Sequence, residues 1–149
     1  MELARVICLL NSVTVGDVSY PANMMADCWS EALGVRVIEA ELPGILCGLY
    51  DHEAHAIWID STMSPIQRNS TLMHELGHAF YRHSACTPRW EKEASEWAAR
   101  QLVDEDEFVS AMRLYEGSIA VANELGVLPR DIDFYVQWRG KNPADIVSR

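Results

Sequence analysis

The chain has 149 residues and a formal net charge of −10, and 49% of its residues are hydrophobic while 23% are charged. This composition is that of an ordinary globular protein and excludes an intrinsically disordered chain. No apolar run approaches the ~20 residues that a membrane helix needs, and the acidic balance argues against binding to a phosphate backbone. The apolar stretch at residues 6–10 is too short and wrongly flanked for a signal peptide. We therefore expect a cytoplasmic protein without membrane or direct nucleic-acid partners.

The four cysteines, Cys8, Cys28, Cys47 and Cys86, stand far apart and form no Cys-x-x-Cys pair. In a chain without an export signal this spacing predicts free thiols rather than disulfides or a thiolate zinc site. We expect these thiols to be buried and chemically inert.

The first predicted elements are helical and then extended. Residues 1–20 are ambiguous, with a short helix or strand possible at residues 5–10, and apolar residues spaced by three and four predict a helix from Pro21 to a cap at Gly34. Three short strands are predicted next, at residues 35–42, 45–50 and 54–59. Strands this close in sequence usually pair antiparallel, so we expect a three-stranded antiparallel meander.

The remaining elements are predicted to be helices. Ser64-Pro65-Ile66-Gln67 has the features of a helix start, since serine caps free amides, proline suits the first position and Gln67 can reach back. This helix should run to about Arg82. Thr87-Pro88 repeats the pattern for a helix to about Val103, and further helices are predicted at residues 104–115, 118–125 and 130–138.

These elements predict an α+β fold, and the length predicts a single domain, residues 1–149. Residues 1–103 would form a small antiparallel sheet packed on an active-site helix, with a second helix behind it. Residues 104–149 would form a helical C-terminal region.

The predicted helix at residues 65–82 contains the motif His74-Glu75-Leu76-Gly77-His78. Residues four apart lie on the same helix face, so both histidines can direct an imidazole nitrogen at one cation. Glu75 lies ~100° around the helix, where it can act as a catalytic base on water without binding the metal. Neutral histidines around an open coordination position are typical of catalytic zinc, so the expected cofactor is Zn²⁺. Gly77 would let another backbone approach this helix closely.

A zinc site of this kind needs a third protein ligand. The metzincin pattern would place glycine and histidine three and six residues after His78, where this chain has Tyr81 and Ser84. His83 points elsewhere around the helix and is expected at the surface.

The next helix offers three carboxylates as the third ligand, namely Glu91, Glu93 and Glu96. The helical wheel places Glu96 opposite the apolar face, in solvent, whereas Glu91 and Glu93 flank that face on its two sides. The wheel therefore does not choose between these two. Ala94, a small residue that permits close approach of the two helices, favours Glu93 over Glu91.

Two separated motifs resemble the ImmA/IrrE family of zinc metallopeptidases. The first runs from Ala56-Ile57-Trp58-Ile59-Asp60-Ser61 through Met63-Ser64-Pro65 and Gln67-Arg68 to Thr71-Leu72-Met73-His74-Glu75-Leu76-Gly77-His78. The second, Glu91-Lys92-Glu93-Ala94-Ser95-Glu96-Trp97-Ala98-Ala99, is similar to the family signature Glu-x-Glu-Ala-x-x-Phe-Ala, with Trp97 in place of phenylalanine. The resemblance covers approximately residues 34–103.

The resemblance implies a zinc ion held by His74, His78 and Glu93, with Glu75 as the catalytic base. It also implies that the protein substrate is a helix-turn-helix repressor of a phage, a mobile element or a stress response, cut by zinc-dependent endopeptidase activity. The alternative is a non-cleaving repressor-binding protein, an antirepressor with a structural zinc site. A peptidase of broad specificity is also compatible with the sequence.

Substrate contacts are less well defined by the sequence. The strand at residues 54–59 directly precedes the metal helix, and we expect it to be an edge strand that pairs with an extended substrate. A strand that only completes the core fits equally well. Tyr81, His83 and Tyr115 are the candidates for a side chain that stabilises the oxyanion.

Residues 118–138 loosely resemble a helix-turn-helix, with apolar residues at Ile119, Ala122, Leu125, Val127, Ile132 and Val136. Arg130 and Arg139 are the only basic residues between Ser118 and Gly140, too few for a phosphate-binding surface. Helices that form a core or bind a protein partner are the better interpretation.

Overall fold

The computed structural model describes residues 22–142 of the chain. The element expected at residues 5–10, and Cys8, lie outside the described residues. The described elements are α1 (Ala22–Leu33), β1 (Arg36–Ala40), β2 (Gly48–Asp51), β3 (Ala56–Asp60), α2 (Pro65–Tyr81), α3 (Pro88–Leu102), α4 (Glu105–Leu114), α5 (Ser118–Leu125) and α6 (Pro129–Lys141). The α+β class with a helical C-terminal half is confirmed. None of these helices is long and apolar enough to cross a membrane.

The three strands form one mixed sheet in which β3 lies between β1 and β2. β1 runs parallel to β3, with Arg36 opposite Ala56, and β2 runs antiparallel to it, with Gly48 opposite Ile59. The expectation of an all-antiparallel meander is therefore wrong. The physical reason lies in burial, because β3 is the most apolar strand and Ile57 and Ile59 are fully buried at the centre of the sheet.

The central position of β3 also corrects its expected role. Both edges of β3 are hydrogen-bonded to neighbouring strands, so it is not an edge strand that can pair with a substrate. The outer strand that contacts the motif-bearing part of α2 is β2, whose residue Gly48 lies against Thr71 and Glu75 of that helix.

The helix starts follow the capping chemistry read in the sequence. The Ser64 hydroxyl accepts a hydrogen bond from the Gln67 N–H, and the Gln67 side chain accepts one from the Ser64 N–H, at 3.4 Å and 3.1 Å. The Thr87 hydroxyl accepts the Trp90 N–H at the start of α3. α2 ends at Tyr81 because Arg82 adopts a left-handed conformation with a φ of 55°.

Two buried clusters organise the described chain. The first packs α1, the sheet, α2 and one side of α3, and its buried members are Ala26, Trp29, Val35, Ile57, Ile59, Leu72, Met73, Leu76, Ala79, Trp97 and Ala98. The second packs the other side of α3 against α4 to α6, and its buried members are Ala99, Val103, Phe108, Ala111, Val121, Ala122, Val127, Ile132 and Tyr135. α3 thus belongs to both clusters and links them.

The helices α5 and α6 contribute to this second cluster rather than to a basic surface. Ala122 and Ile132 are buried as the core interpretation requires, but Ile119 and Val136 are exposed, so only part of the expected apolar set faces inward. Arg139 donates hydrogen bonds to Glu105.

The described cysteines are free thiols, as expected. Cys28 is half-buried, whereas Cys47 and Cys86 are exposed, so the expectation that the thiols are buried is wrong for these two. Both lie in segments between regular elements, where neither is drawn into a core.

Candidate metal centre

Three side chains converge between α2 and α3. The Nε2 atoms of His74 and His78 are 3.1 Å apart. Glu91 directs its carboxylate at both rings, with Oε2 3.2 Å from Nε2 of His74 and Oε1 3.3 Å from Nε2 of His78. The possible ligand atoms of the three residues all lie within 4.8 Å of one another, so the group could hold a metal ion.

Glu93, the carboxylate favoured from the sequence, lies elsewhere. Its Oε2 is 3.3 Å from Nε2 of His83, and its Oε1 is 3.1 Å from Nε of Arg89. The structure therefore brings Glu91, and not Glu93, to the two motif histidines. Ala94 does mark the closest approach of the helices, but the residue on the same face one turn earlier is Glu91, whereas Glu93 lies ~100° around α3.

That close approach depends on Gly77. A Cβ atom on Gly77 would lie 2.8 Å from the carbonyl oxygen and 3.0 Å from the Cα of Ala94. The expected close contact of two backbones at Gly77 is confirmed, and it sets how far the Glu91 carboxylate stands from the histidines.

Two sequence signals could have selected Glu91. Glu91, Ser95 and Ala98 recur at spacings of four and three, and all three line the same cleft. Arg89 precedes Glu93 by four residues, the spacing of a helical ion pair that holds Glu93 away from the histidines. Glu96 is half-buried and accepts a hydrogen bond of 2.8 Å from Lys141 of α6, so the expectation that it lies in solvent is wrong.

Each of the three converging groups has an outer partner. Ser95 Oγ is 3.1 Å from Nδ1 of His74, and His83 Nδ1 is 2.9 Å from Nδ1 of His78. The Cys86 thiol donates to Oε1 of Glu91 over 3.4 Å. The contacts of the two histidines lie on the side of each ring remote from Nε2, and such contacts orient a ligand towards a metal ion.

His83 is buried, with 6% of its surface exposed, so the expectation of a surface position is wrong. The helical wheel fails here because α2 ends at Tyr81, and the left-handed Arg82 turns the chain back. The backbone N–H of His83 then donates to the His78 carbonyl at 3.0 Å, which brings the two rings together.

Glu75 lies beside the histidines and is buried, with 8% of its surface exposed. The Tyr50 N–H of β2 donates to its Oε2 at 2.9 Å. Burial raises the pKa of Glu75 to about 7, although the Tyr50 N–H opposes this rise. A Cβ atom on Gly48 would lie 2.8 Å from Cγ2 of Thr71, so only glycine lets β2 approach the base this closely.

The electrostatics of the centre keep the histidines neutral. Burial lowers the pKa of His74 and of His78, and the neighbouring His74 lowers the pKa of His78 further. Burial alone would raise the pKa of Glu91, but the Cys86 thiol and the two histidines hold it below its ordinary value. Neutral imidazoles and an ionised carboxylate are the states in which these groups bind metals.

A cleft of about 550 Å³ opens above the centre. Residues 43–48 form one wall, and α2 and α3 form its floor with Ser70, Thr71, His74, Glu75, Glu91, Ser95 and Ala98. The opposite wall comes from α6, with Arg130, Asp131 and Phe134. Tyr81, His83 and Tyr115, the expected oxyanion-stabilising candidates, are not among these lining residues.

Arg130 is the functional candidate that the sequence analysis did not identify as such. Its Nη2 donates to the Ser70 hydroxyl at 3.1 Å, and that hydroxyl donates to Oδ1 of the buried Asp131 at 2.9 Å. Asp131 also accepts the Leu128 N–H, which ties down the start of α6. Among the described residues that line the cleft, Arg130 is the one arginine or lysine.

A His-Glu-x-x-His helix behind a small sheet, with a glutamate supplied by the next helix, defines the class of metallopeptidases with a gluzincin-like site. Residues 30–132 match the model of peptidase family M78, the IrrE N-terminal-like domain. The chain belongs to this family, and the resemblance seen in its motifs is confirmed. A comparison with curated proteins found no match.

Proposed function

We propose that this protein is a zinc-dependent endopeptidase whose substrate is a helix-turn-helix transcriptional repressor, cut in the cytoplasm. The observation that carries the proposal is the convergence of His74, His78 and Glu91 beside the buried Glu75. A structural ion site needs no buried carboxylate next to its ligands. Glu75 therefore favours hydrolysis over the antirepressor alternative, and membership of a peptidase family supports a protein substrate.

The donor set fits zinc. Two neutral imidazole nitrogens and one carboxylate are the protein ligands of many catalytic zinc sites, which leave one position open. We assign the ligand roles to His74, His78 and Glu91, so that Glu91 takes the place that the sequence had given to Glu93. When bound, zinc acidifies water and polarises the scissile carbonyl.

Glu75 acts as the general base and then as the general acid. It accepts a proton from the attacking water and donates it to the leaving amine. In the metal-free protein burial raises the pKa of Glu75 to about 7, and such burial favours a carboxyl group that can both accept and return a proton near neutral pH. The hydrogen bond from the Tyr50 N–H holds the carboxylate in position during both transfers.

Arg130 provides a positive charge on the opposite wall of the cleft. We assign it the contact with a substrate carbonyl next to the scissile bond, a role that the sequence analysis left to Tyr81, His83 or Tyr115. Its position is suited to this because the Ser70–Asp131 hydrogen bond joins the start of α6 to the metal helix. Ile45 is fully exposed on the facing wall, where it can contact apolar side chains of the substrate.

The experiment compares the wild type with Glu75→Gln. Both proteins are loaded with zinc, analysed for metal content and incubated with the purified helix-turn-helix repressors of the host genome, and new peptide termini are sought by mass spectrometry. We expect one zinc per chain in both proteins and cleavage by the wild type alone. Glu96→Gln, a matched change on α3 outside the cleft, should cut like the wild type.

Two outcomes would contradict the proposal. Cleavage by Glu75→Gln at the wild-type rate would remove the assigned base. A repressor that binds the zinc-loaded wild type tightly, without any new terminus, would favour the antirepressor.

A further inference from the structure

We propose that His83 and Glu93 form a positioning pair that presets the tautomer and orientation of His78 for metal binding through Nε2. The inference rests on the proposed function in so far as His78 is taken as a metal ligand. It gives a role to two residues that lie outside the ligand set, one of which the sequence had placed in that set.

The argument begins with the proton between the two rings. The Nδ1 atoms of His78 and His83 are 2.9 Å apart, so one of them must carry a proton and the other a lone pair. If His78 binds a metal through Nε2, that atom has no proton, and the neutral ring carries its proton on Nδ1. His83 must then accept at its own Nδ1.

The same reasoning continues to Glu93. A neutral His83 that accepts at Nδ1 carries its proton on Nε2. This Nε2 is 3.3 Å from Oε2 of Glu93, and an ionised carboxylate can only accept. Every donor therefore meets an acceptor, from His78 Nδ1–H to His83 and from His83 Nε2–H to Glu93. The opposite order would set the lone pair of a neutral His83 against the Glu93 carboxylate. On the other side of the ring, Nε2 of His78 lies 3.1 Å from Nε2 of His74 and 3.3 Å from Oε1 of Glu91. It can stay unprotonated there because a proton on Nε2 of His74 is shared with His78 and Glu91.

Packing holds the pair in place. The His83 ring lies between Trp90, at an interplanar angle of 2°, and Tyr81, at 14°. Arg89 donates to the second oxygen of Glu93, so the carboxylate is restrained as well. Turning the His83 ring out of its plane would lose both stacking contacts, and a 180° flip in the plane would lose both hydrogen bonds. Glu93 therefore sets the direction of the two hydrogen bonds.

His74, the other proposed histidine ligand, has no histidine–carboxylate pair at its Nδ1. His74 Nδ1 contacts the Ser95 hydroxyl, which can either donate or accept. Ser95 is therefore compatible with both tautomers of His74, whereas the Glu93–His83 pair selects a single tautomer of His78. The two ligands of one helix should differ in how far they are preset before metal arrives.

The test measures the tautomers directly in the full-length protein. Long-range ¹⁵N–¹H spectra assign the protonated nitrogen of each imidazole in the metal-free and zinc-loaded forms, and chelator competition gives the zinc affinity. His83→Phe keeps a stacking ring and removes both hydrogen bonds. Glu93→Gln keeps an acceptor but also offers a donor and no charge. Glu96→Gln is the matched control on the same helix.

In metal-free wild type we expect His78 to carry its proton on Nδ1, whereas His74, whose Nε2 lies 3.2 Å from Oε2 of Glu91, should carry its proton on Nε2. His83→Phe should give a mixture of tautomers at His78 and weaken zinc binding by roughly 10- to 100-fold, the usual cost of removing an outer partner. Glu93→Gln should have a smaller effect in the same direction and Glu96→Gln none. If His83→Phe does not fold, the smaller effect of Glu93→Gln on the tautomer of His78 and on zinc affinity still tests the inference.

The inference is overturned if metal-free His78 carries its proton on Nε2, or if His83→Phe and Glu93→Gln leave its tautomer and the zinc affinity unchanged. Both readouts are independent of cleavage. A protein that binds zinc tightly but cuts no repressor would contradict the proposed function and leave the pair intact.

Discussion

The two buried clusters serve the cleft in different ways. The first cluster surrounds the crossing of α2 and α3, and the elements that form it carry His74, Glu75, His78 and Glu91. The second cluster supports the cleft only through α6, which contributes Arg130, Asp131 and Phe134 to one wall. We call α1, the sheet, α2 and α3 the first part of the molecule, and α4 to α6 the second part. In our proposal the first part performs the chemistry, and the second part contacts the substrate.

This comparison shows where positional accuracy is needed. Metal–ligand distances tolerate errors of only a few tenths of an ångström. The proposed ligands are carried by two helices whose backbones are in contact at Gly77 and Ala94. A substrate contact tolerates more, and Arg130 is a long side chain on a helix from the other cluster. Variants in the first part should therefore change metal binding, and variants in the second part should leave metal binding unchanged.

The largest expected effect is the loss of the third ligand. Glu91→Ala should weaken zinc binding by more than the roughly 100-fold that is the upper range for an outer partner, because a metal ligand itself is removed. Glu105→Ala, a carboxylate change in the second part, should leave zinc binding unchanged. Chelator competition measures both. Full zinc occupancy in Glu91→Ala together with its loss in Glu93→Ala would return the ligand role to Glu93.

The next effect concerns the buried base in metal-free protein. The pKa of Glu75 is about 7 in the folded state and about 4.3 in an unfolded chain. Ionisation of the buried carboxyl therefore does not lower the stability of the fold well below pH 4.3, and it lowers the stability by its full amount above pH 7. Glu75→Gln removes this penalty. The variant should gain roughly 2 to 3 kcal/mol more stability at pH 8 than at pH 5, relative to wild type.

Urea unfolding with a chelator present measures this difference. The titration of the histidines is common to both proteins and cancels in the comparison. An equal change in stability at both pH values would show that the carboxyl is not buried as described.

The contact between the helices should be sensitive to a single methyl group. Gly77→Ala places a Cβ 2.8 Å from the Ala94 carbonyl oxygen and should cost about 2 kcal/mol of unfolding free energy through overpacking, with weaker zinc binding. Gly140→Ala is the control in the second part, because nothing lies within 4 Å of its Cβ, and it should stabilise α6 slightly. If both variants unfold at the same urea concentration, the close approach is not a constraint.

The smallest effect sharpens the role of the second part. Arg130→Ala should lower kcat/KM for a cleaved repressor by about 10-fold, the scale of one lost charged hydrogen bond, and leave zinc affinity unchanged. Arg113→Ala, an exposed arginine of α4, is the matched control. A loss of zinc binding in Arg130→Ala would mean that α6 supports the metal centre and not the substrate.

Much of the local structure could be predicted from the chain alone. Ser64 and Thr87 marked two helix starts because a cap is a contact between residues three apart. The pairing of His74 with His78 follows from one turn of helix, whatever surrounds it. The glycine at position 77 also indicated a close backbone contact, which the structure places at Ala94.

Other features required the three-dimensional arrangement. The order of the strands depends on which strand is paired along both of its edges, and the sequence spacing of β1, β2 and β3 does not determine this. The burial of His83 depends on one left-handed residue, Arg82, that ends α2 and turns the chain back.

The sequence by itself determined the class of site: a helix with two histidines and a base, followed by a helix with carboxylates. The sequence is sufficient where the interacting residues lie within one helical turn of each other, as His74 and His78 do. Only the tertiary structure decided that Glu91 meets the histidines and that Glu93 contacts His83 instead. The reason is that both glutamates flank the same apolar face, and the contact of α2 with α3 at Gly77 and Ala94 selects between them.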